Sequence, residues 1–126
     1  MFIIGSKLYS VSTVTADGVG TKGRDLIINK DNTCFISIAS LWEMAIKVNL
    51  NKLSIGMPFE NFSNYLISNN FEILNLEFYH LKALSSLGNY HKDPFDRLLI
   101  AQAIVEGMTI ISADKQFNTY PVNVVW

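Results

Sequence analysis

Three acidic residues stand where an α/β protein gathers its chemistry: Glu43 in "SLWEMAIK", Asp96 in "DPFDRLL" and Asp114 in "IISADK". Glu43 lies near the start of a helix that follows one strand, Asp96 near the start of the helix before another, and Asp114 just beyond that later strand. Open parallel sheets bind ligands beyond the carboxyl ends of their strands, so the turns carrying Glu43 and Asp114 are expected to converge there. Asp96 must then reach the same edge by tertiary packing. Carboxylates drawn from separate elements can hold a hard cation such as magnesium or manganese, which takes oxygen ligands and keeps several waters. Such an ion can activate water and stabilise an in-line phosphoryl displacement. Spacing leaves a plainer reading open, because acids in the first turn of a helix are ordinary partners of its dipole. Ser40 and Glu43 also match an S-x-x-E capping box, which would make Glu43 a capping partner. Neither His80 nor His91 has a cysteine or a second histidine at zinc spacing, so surface or packing roles are expected of both.

The apolar pattern supplies the elements that must position these residues. Residues 2–4 (Phe-Ile-Ile) read as a short buried strand, whereas 5–23 are rich in Ser, Thr and Gly and carry no sustained period. "RDLIINK" reads as a turn or two of helix, and Asn32 to Ile38 as a strand buried on both faces. A helix with Leu41, Ala45, Ile46 and Val48 on its apolar stripe runs to about Leu50. Pro58 suits the first position of the next helix, which buries Phe59, Phe62, Tyr65 and Leu66 and stops at Asn69-Asn70. "FEILNL" (71–76) reads as an interior strand, and the spacing of Phe78, Leu81, Leu84 and Leu87 predicts a helix over 77–87. After the loop "GNYHKDP" comes the helix "FDRLLIAQAIVEG", with Pro94 and Asp96 in its first turn and Gly107 at a left-handed C-terminal position. "MTIISA" is then a strand and "VNVVW" a last edge strand. Strands alternating with helices imply an α/β fold with parallel pairing and helices on both sheet faces.

With 126 residues, the chain is expected to form a single domain over 1–126. Its 10 Lys+Arg against 11 Asp+Glu exclude a polybasic coat, so any nucleic acid must be held locally. The lone cysteine, Cys34, excludes a disulfide framework and reads as a buried small hydrophobe in a reducing compartment. The apolar runs fall short of the roughly 18 residues a membrane helix needs. At the amino terminus the apolar residues precede Lys7, the reverse of a secretory signal. A cytoplasmic protein without membrane association is expected.

The runs "SIASLWEMAIKVNLNKL" (37–53) and "HKDPFDRLLIAQAIVEGMTIISAD" (91–114), with the order of elements between them, resemble the PIN-domain family. The likeness is to VapC-type ribonuclease toxins of toxin-antitoxin pairs, and it covers about residue 24 to the end. It implies a PIN-like three-layer α/β/α fold around a mainly parallel sheet, and a magnesium- or manganese-dependent endoribonuclease acting on single-stranded RNA. It also implies a homodimer and a small antitoxin partner. Carried over, Glu43, Asp96 and Asp114 match three of the family's four metal-site acids and are the implied catalytic residues. Asp93 matches the further acid of the D-P-F-D subgroup, with a role in shaping the loop. Lys92 and Arg97 flank the acidic turn as candidates for positioning the RNA backbone. Lys47, four residues after Glu43, suits either a phosphate contact or a helix ion pair. Trp42 is expected as a core or dimer-interface anchor, and Tyr90 as a residue able to stack on a base.

The amino terminus departs from the family. Its members typically open with an apolar strand ending in Asp, commonly followed by Thr-His, whereas here "MFII" runs into Gly5-Ser6-Lys7. Residues 1–23 are thus atypical, and the first ligand is absent from its expected place. Ser6 offers a hydroxyl without charge, and Asp17 lies far along the segment. This motivates a reading of another class, a catalytically impaired PIN-fold protein that dimerises and binds an antitoxin. A phosphoacceptor receiver domain also has an acidic metal pocket, but needs an acidic pair after its first strand and a Lys after a late one. This chain has Gly5-Ser6 and Ala113-Asp114 in those places.

Overall fold

Strand residues alternate between two faces, and the chain uses both faces to build a core. The computed structural model describes residues 1–5 and 21–126. In it β1 (Phe2–Ile4) sends Ile4 into one core and Ile3 into the other. β2 (Cys34–Ser37) likewise turns Cys34 and Ile36 one way and Phe35 the other. The first core joins those residues to Leu41 and Met44 of α2 (Ile38–Asn49) and to Phe62 and Leu66 of α3 (Phe62–Ser68). In the second, Ile110 of β4 (Thr109–Ile111) packs with Leu99, Ile100 and Ala103 of α5 (Pro94–Glu106) and with Phe117 and Tyr120. Sheet and flanking helices make the three layers expected of an α/β domain.

With β3 (Phe71–Leu74) and β5 (Val124–Val125) the sheet has the order β3-β2-β1-β4-β5, and its pairings are parallel. Winding runs from β1 through β2 to β3, then resumes on the other side of β1 at β4. Between β1 and β4 the winding reverses, which makes this the topological switch point at which open parallel sheets place their ligand sites. The remaining helices are α1 (Thr21–Ile28) and α4 (Phe78–Ser85), and α4 packs against α5.

Three expectations are corrected. The helix after β2 starts at Ile38 with no intervening loop, and Ser37 caps it by accepting the Ala39 N–H at 3.1 Å. Ser40 is therefore a buried helical residue, and the capping-box reading of Glu43 falls. β3 is an edge strand, not an interior one. On α4, Phe78 is 79% and Leu81 42% exposed, while His80 is fully buried. The packed face is shifted because His80 Nδ1 accepts the Glu77 N–H at 2.9 Å and Nε2 lies 3.0 Å from Glu106 Oε1 of α5. Two good hydrogen bonds make a buried imidazole affordable where an apolar count favours leucine. No helix among the described residues is long and apolar enough to cross a membrane.

Candidate metal centre

Asp96 is the third residue of α5, and the local sequence fixes that start. Pro94 occupies the first turn, where a missing N–H costs nothing. Asp93 caps the helix, its Oδ1 accepting the N–H groups of Phe95 at 2.9 Å and Asp96 at 3.3 Å. Asp93, for which the resemblance implied a role in shaping the loop, is here the N-cap of α5. Every residue from Leu98 to Ala103 is buried, which makes α5 the central helix and leaves Asp96 only 2% exposed. At the far end Gly107, at φ 65°, takes the left-handed conformation that closes the helix.

Asp114 arrives from the sheet. β4 ends at Ile111, the Ser112 hydroxyl accepts the Asp114 N–H at 3.0 Å, and Asp114 Oδ1 accepts the Gln116 N–H at 2.9 Å. The carboxylate so caps the 3-10 turn Lys115–Thr119 at the carboxyl edge of the sheet. Gly5, just past β1, donates its N–H to Ile111 O at 3.0 Å. The expected position of the missing acid therefore lies at the switch point, beside the strand end that leads to Asp114.

His91 joins the two aspartates. Its Nε2 is 3.2 Å from Asp96 Oδ2 and 3.6 Å from Asp114 Oδ2, and one ligand atom from each of the three residues lies within 4.8 Å of the others. The ring is buried, and its loop is pinned from behind by Tyr120. The Tyr120 hydroxyl accepts the N–H groups of Tyr90 at 3.1 Å and His91 at 2.8 Å, and donates to Gly88 O at 2.8 Å. Arg97 donates to the same carbonyl at 3.0 Å, a structural use of a side chain expected to meet RNA. Asp93 N–H donates to His91 Nδ1 at 3.1 Å, so in the neutral ring the hydrogen sits on Nε2. That buried Nε2 makes no well-formed hydrogen bond although two carboxylates surround it. An orphaned buried polar atom beside paired carboxylates fits a centre that takes a hard cation, since oxygen donors dominate it.

Glu43 is the sixth residue of α2, largely buried, and pairs with Lys47 at 3.8 Å in the helix ion pair weighed above. The rings of Trp42 and Phe95 meet edge to face at 5.0 Å, which brings the residues next to Glu43 and Asp96 into contact. Ser37, the cap of α2, also hydrogen-bonds Gln102 of α5. These contacts set the start of α2 beside α5, yet Glu43 stands outside the 4.8 Å group of His91, Asp96 and Asp114. Trp42 is 60% exposed and so is no core anchor; Tyr90 is exposed, as is Lys92. Ser6 and Asp17 lie outside the described residues. His91 is the residue that sequence reasoning missed. The H-x-D spacing carried a signal, because a histidine two residues before a helix-capping Asp can accept that residue's N–H.

A doubly wound parallel sheet with acidic residues at its switch point defines a class, and comparison with known proteins narrows it. The PIN domain family matches residues 19–123, and the chain belongs to it. No curated protein matches in sequence. Among solved structures the fold is similar to FitAcB from Neisseria gonorrhoeae, with TM-score 0.67 and 16% identity, covering 100% of this chain and 97% of that one. A toxin-antitoxin complex from Klebsiella pneumoniae is similar at TM-score 0.62 and 15% identity, covering 100% and 97%. VapBC2 from Rickettsia felis, bound to a DNA fragment from its promoter, is similar at 0.62 and 20% identity, covering 98% and 96%.

Proposed function

We propose that the chain is the toxin of a toxin-antitoxin pair, a metal-dependent endoribonuclease that hydrolyses phosphodiester bonds of single-stranded RNA. One observation carries the reading. Asp96 and Asp114, from separate elements, close on a buried imidazole at the switch point of a PIN-family sheet. Nuclease activity is the general property of PIN domains, and one of the similar structures is a toxin-antitoxin complex. Asp96, Asp114 and Glu43 would hold magnesium or manganese. When bound, such an ion supplies water activation and neutralises charge on a phosphate undergoing in-line displacement. Around it the exposed Lys92 meets a phosphate and Tyr90 stacks on a base, while Arg97 acts by holding the loop that carries both.

An apolar groove of about 410 Å³ lies between α2 and the turn before α3, lined by Ile38, Leu41, Trp42, Ala45, Phe59 and Phe62. It suits the apolar face of an antitoxin helix. A homodimer belongs to the same reading, with the exposed Phe78, Tyr79 and Leu81 of α4 as its surface, and the cytoplasm as its compartment.

A second reading is favoured by Gly5, which puts no carboxylate at the switch point: a catalytically impaired toxin that retains antitoxin binding. The test is cleavage of an end-labelled single-stranded RNA by the purified chain, with magnesium, manganese or excess chelator. Slow cleavage, lost with chelator and in Asp114→Asn, is expected. Cleavage that survives both changes refutes the site; a chain that binds its antitoxin but cuts nothing supports the second reading.

A further inference from the structure

His91 opens the run that carries the family resemblance but is given no role by it and lies outside the ligand set above, yet it belongs to the cluster with Asp96 and Asp114. Its ring is held at Nδ1 and through its own backbone. Asp93 N–H occupies Nδ1, and Tyr120 fixes the backbone of His91 itself through a 2.8 Å hydrogen bond. The tautomer follows from that arrangement, because a nitrogen that accepts an N–H has no hydrogen of its own. Nε2, the nitrogen left with the hydrogen, lies between Oδ2 of Asp96 at 3.2 Å and Oδ2 of Asp114 at 3.6 Å, without a well-formed hydrogen bond to either. A nitrogen carrying a hydrogen has no lone pair in the ring plane to give a metal. Buried and unable to turn without breaking the Asp93 contact, the ring can only donate.

We propose that His91 is a positioning residue: a neutral Nε2–H imidazole that aligns the carboxylates of Asp96 and Asp114 for a cation without ligating it. The inference rests on the metal-dependent reading of the site and adds to it how the two aspartates are oriented and which ions they admit. With the imidazole outside the ligand set, the donors are oxygens, so the centre takes Mg2+ and Mn2+ in preference to Zn2+, which favours nitrogen and sulfur. The arrangement has the logic of outer partners that orient ligands in metal sites, where their loss typically weakens metal binding about 10- to 100-fold.

Three measurements on the full chain test it. Nitrogen-detected NMR of the imidazole in the metal-free protein should give the Nε2–H tautomer for His91; the Nδ1–H tautomer overturns the proposal. Pulsed electron paramagnetic resonance of the Mn2+-loaded protein should lack the 14N coupling of a directly bound imidazole, and its presence overturns the proposal while leaving metal-dependent cleavage intact. Titration with Mn2+ alone should show affinity falling about 10- to 100-fold in His91→Leu and recovering most of that loss in His91→Gln, whose amide N–H can reach the same carboxylates. Equal losses in both variants would mean a packing role and overturn the proposal. If His91→Leu does not fold, the NMR and resonance measurements on the unmodified chain still decide. Wild-type protein that has the expected tautomer but binds no Mn2+ would overturn the proposal together with the metal-dependent function.

Discussion

Replacing Asp96 by Asn should stabilise the metal-free protein and abolish its response to divalent cations. Ligand atoms of Asp96 and Asp114 lie within 4.8 Å of each other. Two like charges at that separation repel by about 3–4 kcal/mol at an effective dielectric constant near 20. His91 Nε2 makes no well-formed hydrogen bond to either oxygen, so it and the other partners of the two carboxylates offset the repulsion only in part, leaving about 1–2 kcal/mol. Asn keeps the shape of Asp and still offers an oxygen to His91, so removing the charge releases that strain. For a domain of this size the gain corresponds to a rise of about 4–8 °C in Tm. The unmodified chain should instead gain about 2.7 kcal/mol when Mn2+ is present at 100 times its Kd, or about 10 °C. Thermal unfolding of both proteins, in chelator and across a Mn2+ series, measures all four quantities. A lower Tm for Asp96→Asn in chelator, or an undiminished Mn2+ shift, would sink the electrostatic argument and with it the assignment of Asp96 as a ligand.

Tyr120→Phe removes three hydrogen bonds from the loop that carries His91, and should cost about 2–4 kcal/mol in urea unfolding. Glu43→Gln, outside the 4.8 Å group, should weaken Mn2+ binding less than Asp114→Asn does by calorimetric titration; equal losses would make Glu43 a full ligand. Cys34 is 3% exposed, and burial pushes its thiol up against the smaller opposing pull of the amino terminus. It should therefore react with a thiol reagent only as fast as the protein unfolds. Because the folded pKa is raised, the native state holds this proton more tightly than the unfolded chain. That contribution to stability is complete below the ordinary thiol range and is lost as pH rises through it towards the folded value, a trend that Cys34→Ala should remove.

The fold was legible wherever an element buries a simple apolar pattern. α5 could be read to its last residue because its proline and its terminal Gly107 both act locally. β1 and β5 were short but flanked by unambiguous breaks. Reading failed where a polar side chain does a core residue's work. On α4 the leucine spacing pointed at Phe78 and Leu81, and the fold instead buries His80 against Glu106, a partner 26 residues away that no local pattern reveals. The same blindness hid His91. Its partners Asp96 and Asp114 were both singled out as acids, but their convergence on one imidazole is a property of the switch point between β1 and β4, not of any window of sequence. The start of α2 was misplaced by a motif that matched at Ser40, because Ser37 ends the strand and caps the helix in one residue.

Gly5 is buried at the switch point, and a Cβ there would lie 3.0 Å from Ser112 Cβ, 3.1 Å from Ser112 Oγ and 3.2 Å from Ile111 O. These are contacts tighter than ordinary packing allows, so Gly5→Asp must push Ser112 aside by a few tenths of an ångström. Overpacking of this kind costs about 1–3 kcal/mol, and the added charge beside Asp114 raises the cost further in the absence of metal. The same carboxylate adds ligand charge at the cation's edge of the sheet. Gly5→Asp should therefore lower Tm in chelator, enlarge the Mn2+-induced rise, and increase magnesium-dependent RNA cleavage. Adding Asp96→Ala should erase the gain. Ser112→Ala is the wrong relief, since it removes Oγ and leaves the nearer Cβ; Ser112→Gly removes both but also the hydroxyl that holds the Asp114 N–H at 3.0 Å. If Gly5→Asp lowers Tm and leaves Mn2+ affinity and cleavage unchanged, residue 5 does not face the cation. The family's amino-terminal acid would then have no counterpart at this strand end.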